Sequence, residues 1–110
     1  MSAKPAPGIS SKLDSIRELL ERNPVCVEIV AYLSRHGRAV DTVRRIAEWW
    51  INGELRSNQD ALLKLLSYGV VRSYVQGTTR MYAYTKNPLL RQWLSGYMKS
   101  VNHGTANLQR

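Results

Sequence analysis

The segment GVVRSYVQGTTRMYAYT, Gly69 to Thr85, groups Arg72, Thr78, Thr79 and Arg80 around Gly77 and contains no acidic residue. Guanidinium and hydroxyl groups donate hydrogen bonds, so this combination suits an anion such as a phosphate. The surrounding charge agrees with that chemistry. All eight Asp and Glu residues lie at or before Asp60, whereas Lys64, Arg72, Arg80, Lys86, Arg91, Lys99 and Arg110 follow with no acid among them. A formal net charge of +8 and a pI near 10.1 favour a polyanionic partner. The competing expectation is a solvated edge strand, which arginine protects from aggregation.

Other chemistries find less support. A metal site needs clustered thiolates, imidazoles or carboxylates. Cys26, His36 and His103 stand apart in the chain, and Cys26 lies in an apolar stretch where a buried thiol is the ordinary outcome. No metal and no cofactor are expected. No nucleophile–base pair, glycine-rich phosphate loop or carboxylate dyad points to an enzyme. Tyr68, Tyr74, Tyr82 and Tyr84 invite stacking on single-stranded bases. The leucine-rich helices beside them direct at least two of these rings to the core instead.

The elements that position these residues follow from spacing. A chain of 110 residues suits one compact domain. No apolar run approaches the roughly 18 residues of a membrane helix, and MSAKPAPGISS lacks the apolar core of a secretory signal. With one cysteine as well, the expectation is a soluble cytoplasmic protein. Residues 1–11 are rich in Pro, Gly, Ser and Ala and are expected to be a disordered tail. Leu13, Ile16, Leu19 and Leu20 share one face of a first helix over 12–23, which Pro24 ends. PVCVEIVAYLSRHG is apolar around most of its circumference, the mark of a helix packed on several sides. Residues 38–40 can add a third strand beside a hairpin.

Asp41 or Thr42 caps a third helix whose inner face is Val43, Ile46, Ala47 and Trp50. Trp49 and Trp50 point about 100° apart and cannot share a pocket. Ser57 and Asp60 match a Ser-x-x-Asp capping pattern for a fourth helix over 57–68, with Leu62, Leu65 and Leu66 inward. Asn87-Pro88 opens a last helix carrying Leu90, Trp93, Leu94, Tyr97, Met98 and Val101. Residues 102–110 show no pattern and read as a flexible tail. The predicted fold class is mainly α with a small β-hairpin: a winged helix-turn-helix domain over 12–101, flanked by N- and C-terminal helices.

DALLKLLSYGVVRSYVQGTTRMYAYT resembles the second half of bacterial and archaeal winged-helix repressors, the ArsR-like and MarR-like groups. The resemblance rests on Leu62, Leu65, Gly69, Val70, Val71, Arg72, Gly77 and Tyr82. TVRRIAEWW is similar to the helix preceding their reading helix, and the likeness spans about residues 25–101. The metal-sensing ligands of those sensors are missing. Two departures stand out: WWINGELRSN is longer than their tight turn, and Leu63 occupies a position where they place a polar residue.

The resemblance implies a dimeric regulator of transcription, a repressor in those groups, binding double-stranded DNA. The fourth helix would enter the major groove, with Ser57, Asn58, Gln59, Leu63 and Lys64 near the bases. Arg72, Gly77, Thr78, Thr79 and Arg80 would hold the backbone from the wing. Arg44, Arg45 and Arg56 would add phosphate contacts. Leu13, Ile16, Leu20, Trp93, Leu94, Tyr97 and Val101 would form a two-fold interface, unless the first and last helices simply pack on one another within one chain. Two alternatives remain: a winged-helix module that binds a protein, and an architectural or plasmid-maintenance DNA binder.

Overall fold

A computed structural model describes residues 9–50 and 54–108, with side chains described for 11–48 and 54–101. In chain order the elements are α1 (Ile9–Arg22), α2 (Pro24–Arg35), β1 (Val40–Asp41) and α3 (Val43–Arg45). A π-helical stretch (Ile46–Trp50) continues α3, followed by α4 (Leu55–Ser67), β2 (Val71–Gln76), β3 (Thr79–Tyr84) and α5 (Pro88–Leu108). The chain is mainly helical, with a small antiparallel sheet in the order β1-β3-β2.

Helix α2 is the hub. Its all-round apolar sequence is answered by contacts with α1, α4, α5 and the π-helical stretch. Cys26, Ile29, Val30 and Leu33 are all buried. They join Ile16 and Leu20 of α1, Leu62 and Leu65 of α4, and Leu94 and Met98 of α5 in one core. Burial of this kind dominates the favourable side of folding, at roughly 25 cal/mol per Å² of apolar surface.

Local chemistry sets the element ends. Thr42, extended at φ −82°, is the N-cap of α3, and its hydroxyl accepts from the Arg45 amide at 3.3 Å. Asn87 caps α5 through Oδ1, which accepts from the Leu89 and Leu90 amides at 2.9 and 3.2 Å. Asn87→Ala is therefore expected to cost about 1 kcal/mol of stability, measurable by urea titration. At the end of α4, Gly69 adopts φ +77°. The Val70 amide reaches back to Leu65 O and the Gly69 amide to Leu66 O, both at 3.0 Å. These two bonds form a Schellman motif. Val70, fully buried just beyond it, pins the turn so that α4 leads directly into β2.

The sheet is short on one side. β1 pairs only with Ala83 and Tyr82, whereas β2 and β3 pair from Val71↔Tyr84 out to Gln76↔Thr79. Most of the hairpin therefore extends past the third strand as a two-stranded ribbon. A two-residue loop closes it, with Gly77 at φ +67°, a conformation that glycine adopts without steric cost.

Several expectations need correction. The first helix starts at Ile9, not 12, because no proline or glycine interrupts the run from Ile9 to Arg22. Residues 1–8 of the expected tail lie outside the described residues. The last helix continues to Leu108, through most of the expected flexible segment, since extending a formed helix costs little even without an apolar face. The fourth helix runs 55–67, starting two residues before the predicted 57. Its N-cap is Glu54, and neither Ser57 nor Asp60 caps it. Ser57 Oγ instead donates to Glu54 Oε1 at 2.8 Å. The predicted third helix is regular only over Val43–Arg45 before widening to π geometry, which accommodates an extra residue per turn. Ile46 and Ala47 are buried as expected, while the Trp49 and Trp50 side chains lie outside the described residues.

Candidate nucleic-acid interface

Helix α4 divides its residues between two faces. Asn58, Ala61, Leu62 and Leu65 face the core. Arg56, Gln59, Leu63 and Ser67, spaced 3, 4 and 4 apart, are all exposed and form one stripe on the far side. Along a flank of that stripe, Ser57, Asp60 and Lys64 line a shallow groove with Asn23, Pro24 and Val25 at the start of α2. Lys64 Nζ donates across it to Asn23 Oδ1 at 3.2 Å. Arg56 belongs to the first turn of the helix.

Asn58 does not belong among the base-reading candidates. It is 0% exposed, its Nδ2 donates to Glu54 O at 2.8 Å, and its Oδ1 is buried with no partner. Asn58 stands one turn before Leu62 on the same face of the helix, so it goes inward with Ala61, Leu62 and Leu65. A side chain so placed can fix the first turn of α4 but cannot touch a ligand on the exposed stripe.

The hairpin arginines lie on opposite faces. Directly opposed residues of an antiparallel pair point to the same side. Val75↔Arg80, Ser73↔Tyr82 and Val71↔Tyr84 therefore share one face, and Arg72↔Ala83, Tyr74↔Met81 and Gln76↔Thr79 the other. Arg80 is exposed, and its Nη1 donates to Ser73 Oγ at 3.0 Å. Arg72 is half-buried, donates from Nε to Tyr84 O at 3.0 Å, and lies 5.9 Å from the Tyr74 ring centroid. Arg72 is thus partly committed to holding the sheet, whereas Arg80 is the more available cation. Gly77, Thr78 and Thr79 are exposed at the tip.

On α3, Arg44 is exposed, while Arg45 pairs with Asp41 at 3.0 Å. Arg91, from the acid-free second half, serves the fold. It donates to Thr85 O at 2.6 Å and to Gly37 O at 3.0 Å, and its guanidinium lies 4.8 Å from the Tyr84 ring centroid. Net charge therefore overstates the cations open to a ligand. Two exposed residues on the ribbon escape a reading based on charge: Val75, 56% exposed, and Tyr74. Only the short β1 reveals that the ribbon carrying them outruns its cover.

The proposed two-fold surface loses three members to the core. Ile16, Leu20 and Leu94 are buried within the single chain, at 0%, 1% and 0% exposure. They sit on the sides of α1 and α5 that close over α2, and the apolar stripe alone does not distinguish that contact from one with a second copy. Leu13, Trp93, Tyr97 and Val101 remain half-exposed. Trp93 and Tyr97 stack at 5.7 Å, with the Arg17 guanidinium of α1 5.5 Å from the Trp93 ring centroid.

Tyr82 and Tyr84 are buried, as expected for two of the four tyrosines. Cys26 is buried too, and no group of three His, Cys, Asp or Glu able to hold a metal occurs among the described residues. No helix among them is long and apolar enough to cross a membrane. Burial pushes the Cys26 thiol from 9.0 up to about 11, opposed by the charge of Lys64. Burial likewise pushes the Tyr84 phenol from 10.0 up to about 12, opposed by Arg91. In both cases the folded chain keeps a proton that the unfolded chain releases. Stability is accordingly expected to fall as pH rises from about 9 towards about 12. Urea midpoints below and within that window check this, and Cys26→Ala should flatten the first part of the fall.

No protein-family model matches the chain, and a search of curated proteins also finds no match.

Proposed function

We propose that the chain is a winged helix-turn-helix protein that binds double-stranded DNA as a regulator of transcription. Helix α4 would lie in the major groove, and the β2–β3 hairpin would act as a wing on the sugar-phosphate backbone. One observation carries this reading. The exposed stripe Arg56, Gln59, Leu63 and Ser67 has no core contact to make, and its helix turns at Gly69 straight into an acid-free ribbon. The order of elements from α2 through β3 supports it as well, with two helical segments between β1 and the hairpin.

Gln59 offers an amide that can pair with adenine, and Arg56 a guanidinium for guanine or phosphate. Arg44, Arg80, Thr78 and Thr79 supply donors to the backbone. A second copy packed on Leu13, Trp93, Tyr97 and Val101 would set two α4 helices about one DNA turn apart. The reading requires no metal, cofactor or catalytic group.

A fluorescence titration against random-sequence duplex at two salt concentrations tests the proposal. Binding that weakens steeply with salt supports it, and no binding at low salt defeats it. Exposed Leu63 and Val75 favour a second reading, a module that uses the same surface for a protein partner. Defeat in the duplex titration would leave that reading standing.

A further inference from the structure

Resting on the DNA-binding reading, we infer that Leu63 makes α4 a reader of the thymine methyl group in the major groove. Leu63 is the one apolar side chain in the stripe of Arg56, Gln59, Leu63 and Ser67, and it is 57% exposed. Gln59 stands one turn before it and Ser67 one turn after. The charged residues Asp60 and Lys64 lie on the flank, where both line the groove against the start of α2 and Lys64 bonds Asn23. A leucine is thereby left at the crest of the helix with polar neighbours ahead and behind.

The chemistry of the groove gives that leucine one match. Each base edge presents hydrogen-bond donors or acceptors there, and thymine alone adds a methyl group. Against cytosine N4 or guanine O6 and N7, leucine would strip water from a polar atom and return no hydrogen bond. Against the methyl it buries apolar surface on both sides. The base facing Leu63 is therefore thymine, and the contact discriminates by a single carbon.

The test begins with a duplex selected by the wild-type protein from a random pool. Each thymine is then replaced singly by deoxyuridine, which removes the methyl and keeps every hydrogen-bonding group. At one thymine, wild type is expected to bind about fourfold more weakly without the methyl, the share of one buried carbon. Leu63→Ala should bind the two duplexes equally. Because Leu63 is exposed, the variant should keep the wild-type melting temperature, which certifies its fold. The inference is overturned if no thymine responds, or if Leu63→Ala responds as wild type does. It is also overturned if Leu63→Ala leaves duplex affinity unchanged, which would assign the residue to another surface such as a protein contact. A wild-type protein that binds no duplex at low salt removes the DNA reading itself, an outcome distinct from binding that ignores the methyl.

Discussion

Leu94→Ala is expected to lower the free energy of unfolding by about 2–5 kcal/mol, and by the same amount at every protein concentration. Leu94 is fully buried on α5 and belongs to the core that α2 organises. Truncation removes the transfer free energy of the deleted carbons and leaves a cavity that close-packed neighbours only partly fill. Concentration discriminates between the two places where this side chain could be buried. If Leu94 were buried against a second copy, mass action would make both the stability and the mutational loss depend on dilution. Urea unfolding of wild type and variant at two widely separated concentrations decides the matter. A loss that shrinks on dilution would return Leu94 to an interface.

The second large effect lies in binding. On the DNA-binding proposal, replacing Arg56 and Arg80 together by alanine is expected to reduce the slope of log affinity against log salt by about 2, close to one for each phosphate no longer neutralised. The weakening should be similar on unrelated duplex sequences, since backbone contacts carry charge but little base information. These two arginines are the appropriate pair because both are exposed, one on the α4 stripe and one near the tip of the ribbon. Arg72→Ala would confuse the result, because it also removes the bond to Tyr84 O. Arg45→Ala would break the pair with Asp41. An unchanged salt slope in the double variant, with the melting temperature preserved, would exclude these arginines from the anion contact.

Much of the architecture was legible because it rests on local rules. The all-round apolar character of residues 24–35 announced a helix packed on several sides, and α2 is that helix. Asn87-Pro88 marked the start of α5, and of the two capping candidates Asp41 and Thr42 it is Thr42 that caps α3. Each is decided by a few neighbouring residues, so no distant contact is needed to see it. The candidate surface was legible in part: Arg44, Arg56, Gln59, Leu63, Thr78, Thr79 and Arg80 are all exposed.

Periodicity and turn chemistry thus set most of the elements, and the chain beyond Asp60 is free of acids. Tertiary structure alone decided which of those residues are free to act. Packing of the Leu62 face of α4 carried Asn58 inward, closure of α1 and α5 over α2 took Ile16, Leu20 and Leu94 into the core, and strand register set Arg72 and Arg80 on opposite faces. Arg91 and Arg45 became structural through contacts to Gly37 O, Thr85 O and Asp41. The physical reason is common to all of these. Periodicity reports that a side chain has an apolar or charged face to satisfy, but the partner that satisfies it is supplied by whichever element packing brings within reach.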